Sequence, residues 1–346
     1  MRGVMRAAPD PDPFPAFEPH PWLANRHAMT LAGAFAPRRR GRLDPGERRV
    51  FRTDDETRVV AWCHWQSDRR RPVVLLVHGL TGSADSGYMR GTAEKAFGAG
   101  FSAVRLNVRN CGGTEHLTPT LYHAALTADV RAVIEELAWK DRVSALFVAG
   151  FSLGGNLVLR TLAELGDRGP AALRGAVAVS TPLDLEASAA ALESTRLNRL
   201  YMRRFVKDLA RVYRRKVALF PERYRIESLE GVETLRQFDD RITAPYSGFG
   251  NARRYYALAS SLPVLPGVRV PTLLLSARDD SMVPAECYDR REVRESDALQ
   301  VKTTARGGHL AFIGRGPARD GRGGDPDRRW AENRVVEWFR RIDGSR

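Results

Sequence analysis

Short apolar segments alternate along the chain with longer stretches of helical periodicity. The most apolar segments are residues 73–77, 103–107, 145–149, 176–179, 272–276 and 299–303. Nearly continuous apolar runs of this length are typical of parallel strands that are covered on both faces. Residues 49–52 and 59–65 are candidate antiparallel edge strands before them. The pattern predicts an α/β protein whose mostly parallel central sheet is flanked by helices.

Three of the intervening helices can be recognised from the spacing of their apolar residues. Over residues 127–139, Val130, Val133 and Leu137 share one stripe, and charged residues lie opposite. A second helix follows a pair of glycines and is predicted to stop at Gly166. Residues 330–342 form a third amphipathic pattern near the end of the chain.

One long interval breaks the alternation of strands and helices. Residues 182–270 contain no convincing strand and are rich in Arg, Tyr and Leu. An insertion at this point predicts a helical cap over the carboxyl ends of the strands, where open α/β sheets bind their ligands. We therefore divide the chain into an N-terminal arm (1–47), a core (48–181 and 271–346) and a cap (182–270).

A long amphipathic helix is predicted within the cap. Its apolar positions are Leu197, Leu200, Val206, Leu209, Val212, Tyr213 and Val217, and its basic positions are Arg199, Arg203, Arg204, Lys207, Arg211, Arg214, Arg215 and Lys216. Two interpretations remain open: a cap helix with a solvated basic face, or a surface that meets anionic lipid. The side chains available to line a pocket are Leu197, Leu200, Phe205, Val206, Tyr213 and Phe220.

The formal net charge of +14 comes almost entirely from arginines. Because these are distributed along the whole chain, mostly next to acidic residues, they do not form the concentrated basic footprint of a nucleic-acid binder. We therefore expect no nucleic-acid partner. No apolar stretch is long enough to span a membrane. The three scattered cysteines form no disulfide framework and fit a reducing cytoplasm.

The central chemical signal is the segment from Gly150 to Gly155, which reads G-F-S-L-G-G. It follows a predicted strand and opens a predicted helix, which is the context of a nucleophile elbow. The glycines allow strand and helix to pass close to the serine. The segment predicts Ser152 as a nucleophile whose oxyanion is stabilised by the backbone N–H of Leu153.

A second segment supports the same chemistry. The apolar strand at residues 73–77 ends in His78-Gly79, followed by Leu80 and Thr81. In enzymes with a nucleophile elbow, the loop after this strand supplies the second N–H donor to the oxyanion. The N–H of Leu80 is our candidate and that of Thr81 the alternative. We interpret His78 as a residue that anchors this loop and not as the catalytic base. His78 precedes the serine in the sequence, whereas enzymes with a nucleophile elbow have the order serine, acid, histidine.

The acid and the base are expected after the last two strands. Asp279 and Asp280 both follow the strand at 272–276, and either could orient an imidazole. His309 follows the final strand after two glycines, which allow a sharp turn towards the serine. His116 and His123 precede the nucleophile, and we interpret them as structural or pocket-lining. The sequence indicates no metal site and no cofactor.

Several motifs together resemble the YheT-like branch of the α/β-hydrolases, which includes bacterial esterases and eukaryotic ABHD1/ABHD3-type lipid hydrolases. The matching blocks run in order from His78 to Phe312, and Asn110 and Ser281 depart from the usual pattern. The blocks begin at His78 (HGLTGS), Asn107 (NVRNCGG), Leu121 (LYH), Gly150 (GFSLGGN), Pro182 (PLDLE), Phe238 (FDD), Thr243 (TAP), Gly248 (GF), Tyr255 (YY), Ser260 (SSLP) and Gly307 (GGH).

The resemblance implies an α/β-hydrolase fold with a helical cap inserted before the strand that carries the acid. It favours Asp280 over Asp279 as that acid, because Asp280 stands four residues before Pro284, and it completes a Ser152–His309–Asp280 triad. It also implies hydrolysis of short- to medium-chain acyl esters or acylglycerols by a monomeric or loosely associated enzyme without a cofactor. Acyl transfer to an alcohol by the same triad is the alternative function. We expect the enzyme to be cytoplasmic and peripheral to the inner membrane face. The non-enzymatic alternative is a protein that binds membranes or nucleic acid without catalysis.

Overall fold

The computed structural model describes residues 14–38, 43, 46–317 and 325–344. The remainder of the predicted N-terminal arm, including residues 1–13, lies outside the described residues. Eight strands form one sheet: β1 (Glu47–Arg52), β2 (Arg58–His64), β3 (Val73–Val77), β4 (Ser102–Asn107), β5 (Leu146–Phe151), β6 (Leu173–Val179), β7 (Thr272–Ala277) and β8 (Leu299–Thr304). Their spatial order is β1-β2-β4-β3-β5-β6-β7-β8. β2 pairs antiparallel with β1 and β4, and the other pairings are parallel. The predicted α/β architecture is confirmed.

The sheet is covered by helices on both faces. The helices of the described chain are α1 (Arg26–Phe35), α2 (Gly87–Gly98), α3 (Thr127–Glu135), α4 (Leu153–Leu165), α5 (Leu185–Ser194), α6 (Arg196–Leu219), α7 (Leu235–Phe238), α8 (Ala244–Tyr246), α9 (Ala252–Ala259), α10 (Arg291–Arg294) and α11 (Trp330–Gly344). In β3, Leu75 joins the apolar cluster of α3 and α4, whereas Val74 and Leu76 join that of α2 and α11. Alternate side chains of a strand point to opposite faces, so the continuous apolar pattern of β3 reflects two cores.

β8 differs from the other parallel strands. The sequence pattern predicts that it is buried on both faces, but β8 forms an edge of the sheet, and Gln300 and Val301 are exposed. Its sequence alternates polar and apolar residues, which suits a strand with one open side. The carboxyl end of β8 still lies beside that of β7, with Thr304 paired to Ala277.

Residues 182–270 form an insertion of helices between β6 and β7. Its two ends meet at the base, where the Leu262 N–H donates to the Leu183 carbonyl oxygen at 3.0 Å. Nearby, the Leu185 N–H donates to Ser260 Oγ at 3.0 Å. The chain therefore leaves the sheet and returns to it at nearly the same place.

The predicted amphipathic cap helix corresponds to α6, which the Thr195 side chain caps through the Asn198 N–H. Two details of its faces were predicted wrongly. Leu197 and Leu200 are about half exposed and point away from the interior. Lys216, assigned to the basic face, is buried, and its Nζ donates to the carbonyl oxygens of Glu115 and Thr118. Burial lowers the pKa of Lys216 to about 8.

Among the described residues, no helix has both the length and the apolar character that are needed to cross a bilayer.

Candidate active site

Ser152 lies at the sharp turn between β5 and α4. Its backbone φ of 51° and ψ of −123° place a non-glycine residue in a sparsely populated conformation. Such strain costs on the order of 1–3 kcal/mol and is maintained only where the surroundings enforce it. Here the enforcing contacts include the Ser152 N–H, which donates to the Val179 carbonyl oxygen on β6 at 2.8 Å.

The glycines after Ser152 are required by close backbone and side-chain contacts. A Cβ atom at Gly154 would collide with the carbonyl oxygens of Val77 and His78, and one at Gly155 would overlap the Thr181 hydroxyl. The start of α4 therefore packs directly against the ends of β3 and β6. This is the physical reason for the glycines that the sequence places after the serine.

The structure brings Ser152, His309 and Asp280 together. His309 Nε2 lies 3.0 Å from Ser152 Oγ, and His309 Nδ1 lies 2.8 Å from Asp280 Oδ2. The other carboxylate oxygen of Asp280 accepts from the N–H groups of Met282 at 2.9 Å and Val283 at 3.1 Å. With its proton on Nδ1, the imidazole can accept the serine proton at Nε2.

Asp279 occupies a different position from its neighbour. Its Oδ1 accepts the N–H of Gly308 at 2.9 Å, immediately before the histidine. Burial raises the pKa of Asp279 above its usual value. The two adjacent carboxylates therefore have different partners: Asp280 contacts the imidazole, and Asp279 binds the backbone of the loop that carries it.

Thr30 is a positioning residue that the sequence analysis missed. Its Oγ1 accepts the backbone N–H of His309 at 2.9 Å, across 279 positions of sequence. Thr30 lies on α1, whose N-cap is Asn25, and the side chain of Asn25 accepts the N–H groups of His27 and Ala28. The sequence analysis predicted no helix in the N-terminal arm. Asn25 is a residue typical of a helix N-cap and could have indicated one, but no local pattern indicates the contact with the histidine loop.

The predicted oxyanion donors lie beside the serine. Leu80 and Leu153 both line the cavity that contains Ser152. Within the described residues, neither of their N–H groups donates a hydrogen bond. The alternative donor, the Thr81 N–H, is engaged by the Tyr122 hydroxyl at 3.2 Å. The geometry therefore favours Leu80 over Thr81 for a substrate oxygen.

His78 lies beneath this loop and does not contact Ser152 Oγ. One ring nitrogen, Nδ1, donates to the Gly79 carbonyl oxygen at 2.8 Å, and Nε2 accepts the Val108 N–H at 3.3 Å. Burial lowers the pKa of His78 to about 4, so the ring is neutral at physiological pH. These contacts match the loop-anchoring position expected from the sequence.

An apolar cavity of about 110 Å³ opens onto Ser152 and His309. The side chains that line it come from the core and from the insertion, including Leu121, Tyr122, Leu185, Ala189, Leu192, Phe205, Leu209, Val212, Tyr213, Leu235, Phe238, Met282 and Val283. Of the predicted pocket residues, Phe205 and Tyr213 line it. Leu197, Leu200, Val206 and Phe220 do not.

Two polar residues of the cavity stand out. His123 packs against the rings of Phe249 and Tyr255, and burial lowers its pKa to about 4. Asp239 is buried, with its Oδ2 accepting the Tyr256 hydroxyl at 2.7 Å, and burial raises its pKa to about 6. Asp239 belongs to the FDD block of the family resemblance, which implies no role for it. His116, by contrast, is exposed and lies outside the cavity.

In the part of the chain that the structure describes, no three His, Cys, Asp or Glu side chains converge as metal ligands would.

Comparison with known proteins shows similarity to hydrolases of this fold. Residues 72–315 match the family model described as the α/β hydrolase fold. YheT of Escherichia coli, which carries an esterase name, is 30% identical over 93% of this chain and 92% of its own length.

Two proteins of Saccharomyces cerevisiae are also similar. A monoacylglycerol lipase is 31% identical over 71% of this chain and 56% of its own length. The medium-chain fatty acid ethyl ester synthase/esterase 2 is 29% identical over 79% of this chain and 62% of its own length. The chain thus spans less than two thirds of either yeast protein.

Proposed function

Because the chain belongs to the α/β-hydrolase family, and within it to the YheT-like branch, we propose that it cleaves carboxylic esters with Ser152 as nucleophile, His309 as base and Asp280 as the acid of a triad. The protein is a hydrolase of the esterase and lipase type. The observation that carries the proposal is the continuous hydrogen-bonded line from Asp280 through His309 to Ser152 at the floor of an apolar cavity.

In the proposed reaction, His309 Nε2 takes the proton of Ser152 as Oγ attacks the acyl carbonyl carbon. The N–H groups of Leu80 and Leu153 stabilise the oxyanion of the tetrahedral intermediate. The protonated His309, stabilised by Asp280, then donates its proton to the leaving alcohol. Water, deprotonated by His309, hydrolyses the acyl-enzyme and restores the free serine.

The substrate class that we propose is a short- to medium-chain acyl ester or an acylglycerol. The support is the predominantly apolar lining of the cavity, to which the insertion contributes Phe205, Leu209 and Tyr213. We propose that residues 182–270 act as a cap that gives the enzyme its acyl preference. A panel of p-nitrophenyl esters from acetate to palmitate, assayed beside a monoacylglycerol, tests this proposal. Hydrolysis of none of these esters would contradict it.

Acyl transfer to an alcohol is a second candidate, favoured by the printed name of the yeast ethyl ester synthase/esterase. The acyl-enzyme is the same, and only the second nucleophile differs. Adding ethanol to the ester assay distinguishes the two functions. A transferase diverts product from free acid to ethyl ester in proportion to the alcohol, whereas a strict hydrolase releases free acid throughout.

We also propose that the enzyme, acting as a monomer, makes peripheral contact with an anionic membrane. The basic residues of α6 support this contact, although they are not equally available. Asp208 pairs with Arg204 at 2.8 Å and with Arg211 at 3.0 Å, and Glu115 pairs with Arg215 at 2.7 Å. The charge available to lipid therefore lies mainly in the first half of the helix.

A further inference from the structure

We propose that α1, the turn before it and the first half of α6 form a docking surface for an anionic lipid bilayer, next to the loops that carry His309 and Asp280. The inference deepens the proposed peripheral contact of an ester hydrolase by naming the surface that makes it. We call this surface the α1–α6 face and define it by Trp22, Leu31, Phe35, Leu197 and Leu200.

Among the residues that the structure describes, the α1–α6 face carries large apolar side chains that are substantially exposed. Trp22 is 89% exposed and Phe35 73%, while Leu200, Leu197 and Leu31 are 57%, 50% and 45% exposed. Scattered single apolar residues are normal on a protein surface, but five of them on three neighbouring elements, namely α6, α1 and the 3-10 turn Pro21–Leu23 that precedes α1, indicate an interaction site.

The two helices meet at a direct contact. His27 on α1 stacks on Tyr201 of α6, with ring centroids 5.9 Å apart, and His27 Nδ1 lies 3.2 Å from the Tyr201 hydroxyl. Leu31 lies one helical turn after His27, and Leu197 lies one turn before Tyr201. Since residues four apart share a helix face, the two leucines flank this contact. Phe35 extends the line along α1 by one more turn.

Basic side chains surround the apolar residues on α6. Arg196, Arg199, Arg203 and Lys207 are all exposed, and helical spacing places Leu200 between Arg196 and Arg203. Within the described residues, Arg196, Arg203 and Lys207 form no ion pair with an acidic side chain. Apolar residues bordered by available cations are the pattern of an interfacial helix that binds anionic headgroups.

The charge also argues against a second copy of this chain as the occupant. Face-to-face association of two copies would bring the same uncompensated cations of both α6 helices together, and such like-charge contact is unfavourable. An anionic bilayer supplies both the apolar phase and the opposite charge.

The α1–α6 face adjoins the loops that carry the triad. Thr30 on α1 holds the N–H of His309, and Asn198 Nδ2 on α6 donates to the Ser281 carbonyl oxygen at 2.7 Å, next to Asp280. Docking through this face therefore brings the catalytic loops to the lipid surface, where an acyl ester is located.

The test is sedimentation of the full chain with vesicles of phosphatidylcholine alone or mixed with phosphatidylglycerol. Wild type is expected to bind the mixed vesicles at low salt and to dissociate as salt screens the charges. Leu197→Asp and Leu200→Asp should each weaken binding about tenfold or more, because a leucine is lost from the apolar phase. Leu258→Asp is the matched control, since Leu258 is also 50% exposed but lies on α9.

Quenching of Trp22 by brominated lipid provides a second readout. The quenching is expected in wild type and should be lost in Trp22→Phe. Unchanged binding of a Leu197→Asp/Leu200→Asp double variant, equal loss in Leu258→Asp, or a dimer that Leu200→Asp dissociates would each overturn the docking surface. All variants are expected to hydrolyse a water-soluble ester like wild type. If wild type binds vesicles but hydrolyses no ester, the proposed function fails and the surface stands.

Discussion

Asp279 and Asp280 are adjacent in sequence, but only Asp280 contacts the imidazole of His309. Asp280 Oδ2 lies 2.8 Å from Nδ1 of the ring, whereas Asp279 Oδ1 accepts the Gly308 N–H at 2.9 Å. The histidine loop is therefore held by one carboxylate and its ring by the other. Substitution of each aspartate separates these two effects.

We expect Asp280→Asn to lower kcat far more than Asp279→Asn. Loss of the acid removes the group that fixes the imidazole tautomer, which costs about four orders of magnitude in a serine protease. Asp279→Asn keeps a side-chain oxygen for the Gly308 N–H, so its effect should be small. Steady-state kinetics on a p-nitrophenyl ester measures both, and a reversed ranking would reassign the acid.

Ser152→Ala is expected to abolish ester hydrolysis and labelling by a fluorophosphonate while the protein stays folded. The loss should be at least about a thousandfold, because the members of a triad act as a unit. Intact-protein mass spectrometry checks the labelling, and circular dichroism checks the fold. A labelled alanine variant would show that another residue is the nucleophile.

Ser152→Gly should be as inactive as Ser152→Ala but more stable. Glycine adopts the φ of 51° without the steric conflict that a Cβ atom causes, so the strain at the elbow should fall. We expect a gain of about 1 kcal/mol in the free energy of unfolding relative to the alanine variant. Urea denaturation of the two inactive proteins measures it, and equal stabilities would show that the turn is not strained.

Thr30→Val should lower kcat and leave KM nearly unchanged. Valine matches the shape of threonine but removes the acceptor of the His309 N–H, so the imidazole is less well positioned. Thr30→Ser keeps the hydroxyl and should restore most of the activity. If both variants lost activity equally, packing of α1 rather than the hydrogen bond would be responsible.

His78 should make the protein less stable in acid. Its pKa is about 4 in the folded state and about 6.5 in the unfolded chain, so the unfolded chain binds more protons between these values. Stability contributed by the neutral ring is present above about pH 6.5 and is lost as the pH falls towards 4, by about 3 kcal/mol. Denaturant unfolding of wild type and His78→Asn across this pH range should show a shallower dependence in the variant.

Ala189→Phe should shift the preference towards shorter acyl chains. Ala189 is buried and lines the cavity, so a phenyl ring there occupies space that the acyl chain would use. In wild type, each added methylene should favour the substrate by up to about 0.8 kcal/mol until the cavity is full. Leu200→Phe, outside the cavity, is the control. A wild-type profile that peaks at acetate would contradict the medium-chain proposal.

The positions of the strands along the chain, and the elbow, could be predicted because each depends on a local sequence pattern. Continuous apolar runs are typical of strands buried on both faces. The glycines around Ser152 are required because a Cβ atom at their positions would collide with neighbouring atoms. The preference for Asp280 depended on the family resemblance, because local sequence patterns do not distinguish between two adjacent aspartates after a strand.

The faces of α6 could not be assigned from the sequence. Periodicity shows which residues share a side of a helix, but it does not show which side meets the core. Leu197 and Leu200 lie on the outer surface. Lys216 is buried, and its ammonium donates hydrogen bonds to backbone carbonyl oxygens of a distant loop. The contact of Thr30 with His309 is equally inaccessible, since it joins the two ends of the chain.

The junction of Leu183 with Leu262 has a consequence for how this enzyme can diverge. The segment between these two residues leaves the sheet and returns to it at one point, as a tight loop between β6 and β7 would. The entropic cost of closing a loop grows only slowly with its length. Lineages can therefore lengthen, shorten or exchange the whole intervening segment while inheriting β6 and β7 unchanged. If this segment sets the acyl preference, as we propose, a new preference requires replacement of one segment and no change in the residues at the ends of the strands.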